Sequence, residues 1–219
     1  MKKRIKKSYK RKDSFLVDMW EFIFRLLGYV SLFFIVKKIK RNISHRFVDF
    51  WVIGNFMFAI ISSILVYYIS DYYLLLKITL SVYGFLRVFE VIIYQINVVL
   101  FDPYRSQKSG EKYRVKSIRR IILALFHNYI EIMFWFATIM STIAVISSVT
   151  INATWIEYIT STILCVAIFD RSGIESIIEG NMSIITQLVF LEIVSGLIMT
   201  IISIARFIGI LPSVDEIDG

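Results

Sequence analysis

Several kinds of chemistry are missing from this sequence. It contains a single cysteine, Cys165, which excludes an intrachain disulfide and any cysteine-based metal cluster. It has no glycine-rich phosphate loop, no nucleophile elbow and no paired-carboxylate signature, so no enzyme and no cofactor are expected. It lacks the alternating strands of about ten residues, separated by turns, that a membrane barrel needs. No small-residue cleavage site follows the first apolar stretch, so no cleaved signal peptide is expected. Only two prolines interrupt 219 residues.

What the chain has in quantity is apolar surface. It is 57% hydrophobic with a mean hydropathy of +0.69, more than a soluble core of this size needs. The apolar residues come in runs, and runs near 20 residues are long enough to cross a bilayer. Four such runs are predicted as membrane spans, at about 48–70, 73–100, 121–147 and 183–211. A fifth, 155–169, is too short to span comfortably and reads as re-entrant or interfacial. The expected fold is an all-α membrane protein of four transmembrane helices, a re-entrant helix and an N-terminal interfacial amphipathic helix.

Charge orients these elements. The net charge is +8, which in a soluble chain could point to nucleic acid; here basic loops reporting cytoplasmic exposure are the stronger explanation. "KKRIKKSYKRK" opens the chain with eight Lys/Arg in its first twelve residues, "KKIKRNISHR" (37–46) adds five, and residues 101–120 carry seven basic against two acidic groups. The region 148–182 has four acids and one base. The expected arrangement is a multi-pass protein of the cell membrane with both termini and the basic loops in the cytoplasm. The segment 13–36 has basic clusters on both sides, and Asp18, Glu21 and Arg25 share one helical face. It is long enough to be a fifth span, but the charges favour a helix lying in the cytoplasmic interface, with the polybasic N-terminus on anionic lipid.

Ionisable groups inside spans are costly and mark packed interiors or pathways. Tyr83, Arg87, Glu90, Tyr94 and Asn97 fall on one face of the second span; Arg120, His127, Glu131, Thr138 and Thr142 do so on the third. Arg87 and Glu131 should lie at similar depth and form an intramembrane ion pair, with Glu90 near His127. The last span carries a polar stripe of Glu192, Ser195, Gly196, Thr200, Ser203 and Arg206. A pore-lining face and a tight helix–helix seam both fit it, and Gly196 permits close packing or a bend. His127 and Glu131 stand four apart, but two ligands with no third make no metal site.

The order of span, short apolar helix, charged loop and polar-striped span resembles the pore module of the potassium channel superfamily. The segments "LRVFEVIIYQINVVLFDPYR" (86–105), "HNYIEIMFWFA" (127–137) and "GLIMTIISIARFIGILP" (196–212) look like those of bacterial four-span proteins with a C-terminal two-helix ion-channel domain. The resemblance covers roughly residues 47–212. It implies a homo-oligomer, a tetramer, around a central pore, with 121–147 as outer helix, 155–169 as pore helix and 183–211 as inner helix. Glu192, Gly196 and Thr200 would be its pore face or hinge.

It also implies a filter at Asp170, Arg171, Ser172, Gly173, Ile174 and Glu175. A potassium filter reads TVGYG and strips the ion with backbone carbonyls. An ungapped placement lays residues 171–175 over those five positions, and Gly173 alone matches. Potassium selectivity therefore does not carry over. Rings of Glu175 and Glu179 would favour cations, and a ring of Arg171 anions. Two functions remain: an ion channel with an atypical filter, or a non-conducting pore-module homologue acting as a membrane scaffold or regulatory partner. In the second, Asp170, Arg171 and Glu175 pair locally and close the loop. The resulting division is 1–46 (basic N-terminus and interfacial helix), 47–117 (two-helix hairpin and basic loop), 118–212 (pore module) and 213–219 (acidic tail).

Overall fold

The computed structural model describes residues 14–29, 31, 36, 44–110, 118–180 and 183–210. The basic N-terminus with its expected lipid contact, most of the 37–46 cluster and the acidic tail lie outside the described residues. Among the described residues, four helices are long and apolar enough to cross a membrane: Arg46–Tyr68, Asp71–Ser109, Arg119–Ile146 and Ser183–Gly209. They mark a membrane-embedded, all-α protein.

Local chemistry sets most element ends. Helix α1 (Phe15–Gly28) starts at Ser14, whose hydroxyl accepts from the Leu16 amide. Helix α2 (His45–Tyr68) starts at Ser44, which accepts from the Phe47 amide. A 3-10 turn, Asp71–Tyr73, leads into α3 (Leu74–Ile96). One π turn, Asn97–Phe101, joins α3 to α4 (Asp102–Ser109), which Gly110 ends in the left-handed region at φ 76°. Then follow α5 (Ile118–Ile146), β1 (Thr150–Ile151), α6 (Trp155–Ile168), the single-turn α7 (Ser172–Glu175), β2 (Ile178–Glu179) and α8 (Ser183–Ile210).

The second span differs from expectation at its end. Residues 102–109 were expected to be loop and instead continue the helix. Pro103 explains the π turn between the two parts. Proline has no amide hydrogen and its ring crowds the carbonyl four residues back. Widening the preceding turn, where the Asp102 amide reaches the Asn97 carbonyl, absorbs it without ending the helix. The 39 residues from Asp71 to Ser109 measure about 58 Å at helical rise, well beyond an apolar layer of about 30 Å. The α4 end therefore projects from the bundle.

Helix α5 is the central post. It packs against α2, α3, α6 and α8, while α2 and α3, though consecutive, touch each other little. This position explains how α5 can carry Asn128, Glu131, Thr138, Ser141 and Thr142 in a membrane segment: all five are buried against neighbouring helices. Trp135 on α5 is fully buried with Phe58 and Tyr83 edge-on to its ring. Gly84 makes room for it, since a Cβ there would lie 2.6 Å from the indole.

Strands β1 and β2 pair antiparallel, Thr150 opposite Glu179 and Ile151 opposite Ile178. The chain between them thus leaves and returns at one point. Helix α6 is fixed at its start by a capping box between Thr154 and Glu157, and the Tyr158 hydroxyl donates to the Ala137 carbonyl of α5 at 2.7 Å. The hydroxyl of Tyr67, at the end of α2, donates to the Ala153 carbonyl.

Helix α1 turns its acidic residues toward α4. Asp18 accepts from the Tyr104 hydroxyl at 2.6 Å and Lys108 at 3.0 Å; Glu21 accepts from Arg105 at 2.7 Å and Arg25 at 2.6 Å. Asn97 in the π turn donates to the Phe24 carbonyl and accepts from Arg105. Phe15, Leu16, Phe22 and Leu26 stay exposed. The hydrogen bonds from Tyr104 and Lys108 hold the Asp18 carboxyl below its usual range. Burial pushes the Glu21 carboxyl up, and Arg105 and Arg25 more than offset this, leaving it lowered as well. A lowered folded-state value gives a contribution that is present above the ordinary carboxylate range and lost as pH falls through the folded value. Protection of the α1 amides, taken as exchange relative to the intrinsic rate at each pH, should therefore be high and constant around neutral pH, lower in acid and lower in high salt, which screens the exposed Asp18–Lys108 pair. Asp18→Asn should reproduce the acid effect at neutral pH; unchanged α1 exchange in that variant and in salt would disprove the charged latch.

Candidate functional site

The polar residues inside the bundle form two separate centres and one surface loop. The first centre is built on Arg87 of α3. Its Nε donates to Glu131 Oε1 at 2.7 Å and one terminal nitrogen donates to Glu131 Oε2 at 3.2 Å, a two-pronged contact. Its other terminal nitrogen donates to Glu90 Oε2 at 2.7 Å. The Trp135 indole donates to Glu131, and the Ser31 hydroxyl donates to Glu90. Arg87, Glu90 and Glu131 are all at most 4% exposed. Helical spacing brings Arg87 to Glu131, but Glu90 is not beside His127 as expected. Its bonds go to Arg87 and Ser31, while His127 lies edge-on to Phe56 of α2. The polar face of α5 is shared: Arg120 and His127 turn to α2, and Glu131 and Thr142 to α3, where Thr142 accepts from Ser81 at 2.7 Å.

A cavity of about 380 Å³ opens beside this centre, between α2, α3 and α5. Val52, Val91 and Ala124 give it apolar walls; Arg87, Glu90 and Asn128 line its polar side. The Asp49–Arg120 ion pair, at 2.6 Å, stands at its margin.

The second centre lies along α8. Of the two readings left open for its polar stripe, the packing is that of a seam within one chain. Glu192 is fully buried, Ser195 and Arg206 nearly so, and Thr200 shares a hydrogen bond with Tyr129 of α5 at 3.1 Å. A Cβ on Gly196 would collide with Val166 of α6. Within the chain, Glu192, Gly196 and Thr200 face α5 and α6. Gly196 lies inside an unbroken α8, where it serves the close contact with α6.

The surface loop is where the filter was expected. Phe169 ends α6 in the left-handed region at φ 56°. Asp170 then accepts from the Ser172 amide at 3.0 Å and hydroxyl at 2.6 Å, which holds its carboxyl below the usual range. Residues 172–175 form the helical turn α7. The Arg171 carbonyl accepts from the Ile174 and Glu175 amides, that of Ser172 from the Ser176 amide, that of Gly173 from the Ser176 hydroxyl and that of Ile174 from the Ile177 amide. Arg171 pairs with Glu175 at 3.0 Å, both partly exposed. Ile174 is fully buried and anchors the turn in the core. The stretch Arg171–Glu175 is thus a self-bonded turn. Gly173 does not use its conformational freedom, since its φ is not positive.

The sequence reading missed Ser31, Trp135, Asn128 and the Tyr83–Asn55 hydrogen bond of 2.6 Å. Each depends on contacts between helices distant in sequence. Among the described residues, no group of three or more His, Cys, Asp or Glu could hold a metal. Comparison of the chain with protein-family models, with curated proteins and with solved structures gives no match.

Proposed function

We propose that this is a non-conducting membrane protein built on a pore-module plan, acting as a membrane scaffold or regulatory partner. The observation that carries this reading is that the carbonyls of Arg171, Ser172, Gly173 and Ile174 all accept hydrogen bonds within their own loop. A filter works by offering such oxygens to an ion in place of water. Oxygens already bonded to amides and hydroxyls of the same turn are not on offer, and Arg171 is engaged by Glu175.

The rest of the plan is compatible with a re-entrant module. Strand pairing returns the loop to its starting point, and Val166 near the end of α6 meets Gly196 near the middle of α8. Gly196 is about 20 Å along α8 from Ser183. The basic clusters favour cytoplasmic termini, a cell-membrane location and the 148–182 loop outside. With its charges on α4 and its apolar side exposed, α1 is suited to lie in the cytoplasmic interface. Homo-oligomers, tetramers among them, are the assemblies that the pore-module plan favours.

The channel reading retains one supporting observation: Asp170, Arg171 and Glu175 are exposed, and Arg171 lies beside Thr186 and Gln187 of α8. Planar-bilayer recording of the purified full-length protein separates the two. Absence of current from a homogeneous oligomer is expected. Currents whose ion preference shifts in Arg171→Ala or Glu175→Gln would establish a channel and defeat the scaffold.

A further inference from the structure

Glu192 is the one acidic side chain among the described residues that is fully buried with neither oxygen hydrogen-bonded. It sits in α8 between Val189 and Ile193, which pack into an apolar cluster with Ala137 and Met140 of α5 and Ile159 of α6. Tyr158 and Cys165, both on α6, are the titratable groups within its electrostatic reach. The Tyr158 hydroxyl is turned to the Ala137 carbonyl, and Cys165 is a free, fully buried thiol. Neither supplies a positive charge, and the Glu192 carboxyl takes part in no hydrogen bond or ion pair among the described residues. The contrast with Glu131 is direct, because Glu131 is equally buried but held by Arg87 and Trp135.

An ionised carboxylate in apolar surroundings loses its hydration and needs a cation or several donors to replace it. With none present, the ligand that removes the charge at least cost is a proton. We propose that Glu192 is a proton-binding site, occupied at neutral pH, whose bound proton keeps α6 seated against α8. Ionisation would require water or a counter-ion to enter. The seam has no room for either, since one turn away a Cβ on Gly196 would already collide with Val166. Losing the proton therefore means parting α6 from α8, and with α6 the turn anchored by Ile174. This site stands whether or not the loop conducts.

The test is infrared spectroscopy of the full-length protein in lipid nanodiscs at neutral pH, as a difference between wild type and Glu192→Gln. One carbonyl stretch of an un-ionised carboxylic acid should vanish in the variant. A difference lacking that band, or showing carboxylate bands in its place, overturns the proposal. Glu192→Asp, which keeps an acid, should retain an acid band at a shifted frequency; its absence counts equally against the site. In thermal unfolding, Glu192→Gln should melt within a few degrees of wild type and Glu192→Lys far below it. A Gln variant as damaged as the Lys variant would show that an ionised carboxylate had been needed, and would overturn the proposal too.

Discussion

Arg87→Ala should lose about 3–5 kcal/mol of stability, the range for removing one partner of a buried ion pair. The variant strands two acids at once, because Glu131 and Glu90 both bond to the lost guanidinium and are almost inaccessible. Thermal unfolding in detergent should show a large fall in midpoint, with aggregation on size exclusion. Arg87→Lys should recover only part of the loss. An ammonium is a point donor and cannot reproduce the fork that grips Glu131 while reaching Glu90. Arg87→Met combined with Glu131→Leu and Glu90→Gln should be closer to wild type than Arg87→Ala alone, since apolar replacement of a buried charge cluster is often neutral or better. A thermal midpoint for Arg87→Ala equal to wild type would remove the cluster from the account of stability.

Gly196→Leu should cost about 1–3 kcal/mol or more, the penalty of overpacking a filled interior. The first side-chain carbon already meets Val166, and α6 cannot retreat freely because Tyr158 bonds to α5 and Ala153 bonds to Tyr67. Gly196→Ala isolates the cause. Alone it should be destabilising; paired with Val166→Ala, which deletes the colliding methyl, it should cost less than the sum of the two single changes. A double-mutant cycle on thermal unfolding gives this coupling directly, and strict additivity would show that the two residues do not press on each other.

The bundle was legible because membrane spans must be long and apolar, and because charges within them must find partners. Arg87 and Glu131 announce themselves by being unaffordable alone. Their neighbours did not, since nothing local marks Gly84 as the socket for Trp135 or Ser31 as a donor to Glu90. Those depend on which helices become adjacent, and α2 joining α5 more closely than its successor α3 is a tertiary outcome. The turn at 172–175 carries a local helical signal in the sequence: Asp170 two residues before the amide it caps, and Arg171 four residues before Glu175. The polar stripe of α8 was visible as a period, but a period alone does not say whether water or another helix lies opposite.

The π turn at Asn97–Phe101 has a consequence for phase. A π turn holds one residue more than the α-helical turn it replaces, so the helix beyond it points as if that residue were absent. Counting by 3.6 from Arg87 across it therefore misassigns the side on which Arg105 and Lys108 emerge. The second span carries, in effect, a spare residue. Deleting Val98 should close the helix into regular form with Arg105 still aimed at Glu21, at the cost of the Pro103 clash. Deleting Ile92, on the regular stretch, should swing everything beyond it by about 100° and leave α1 without its charged partners.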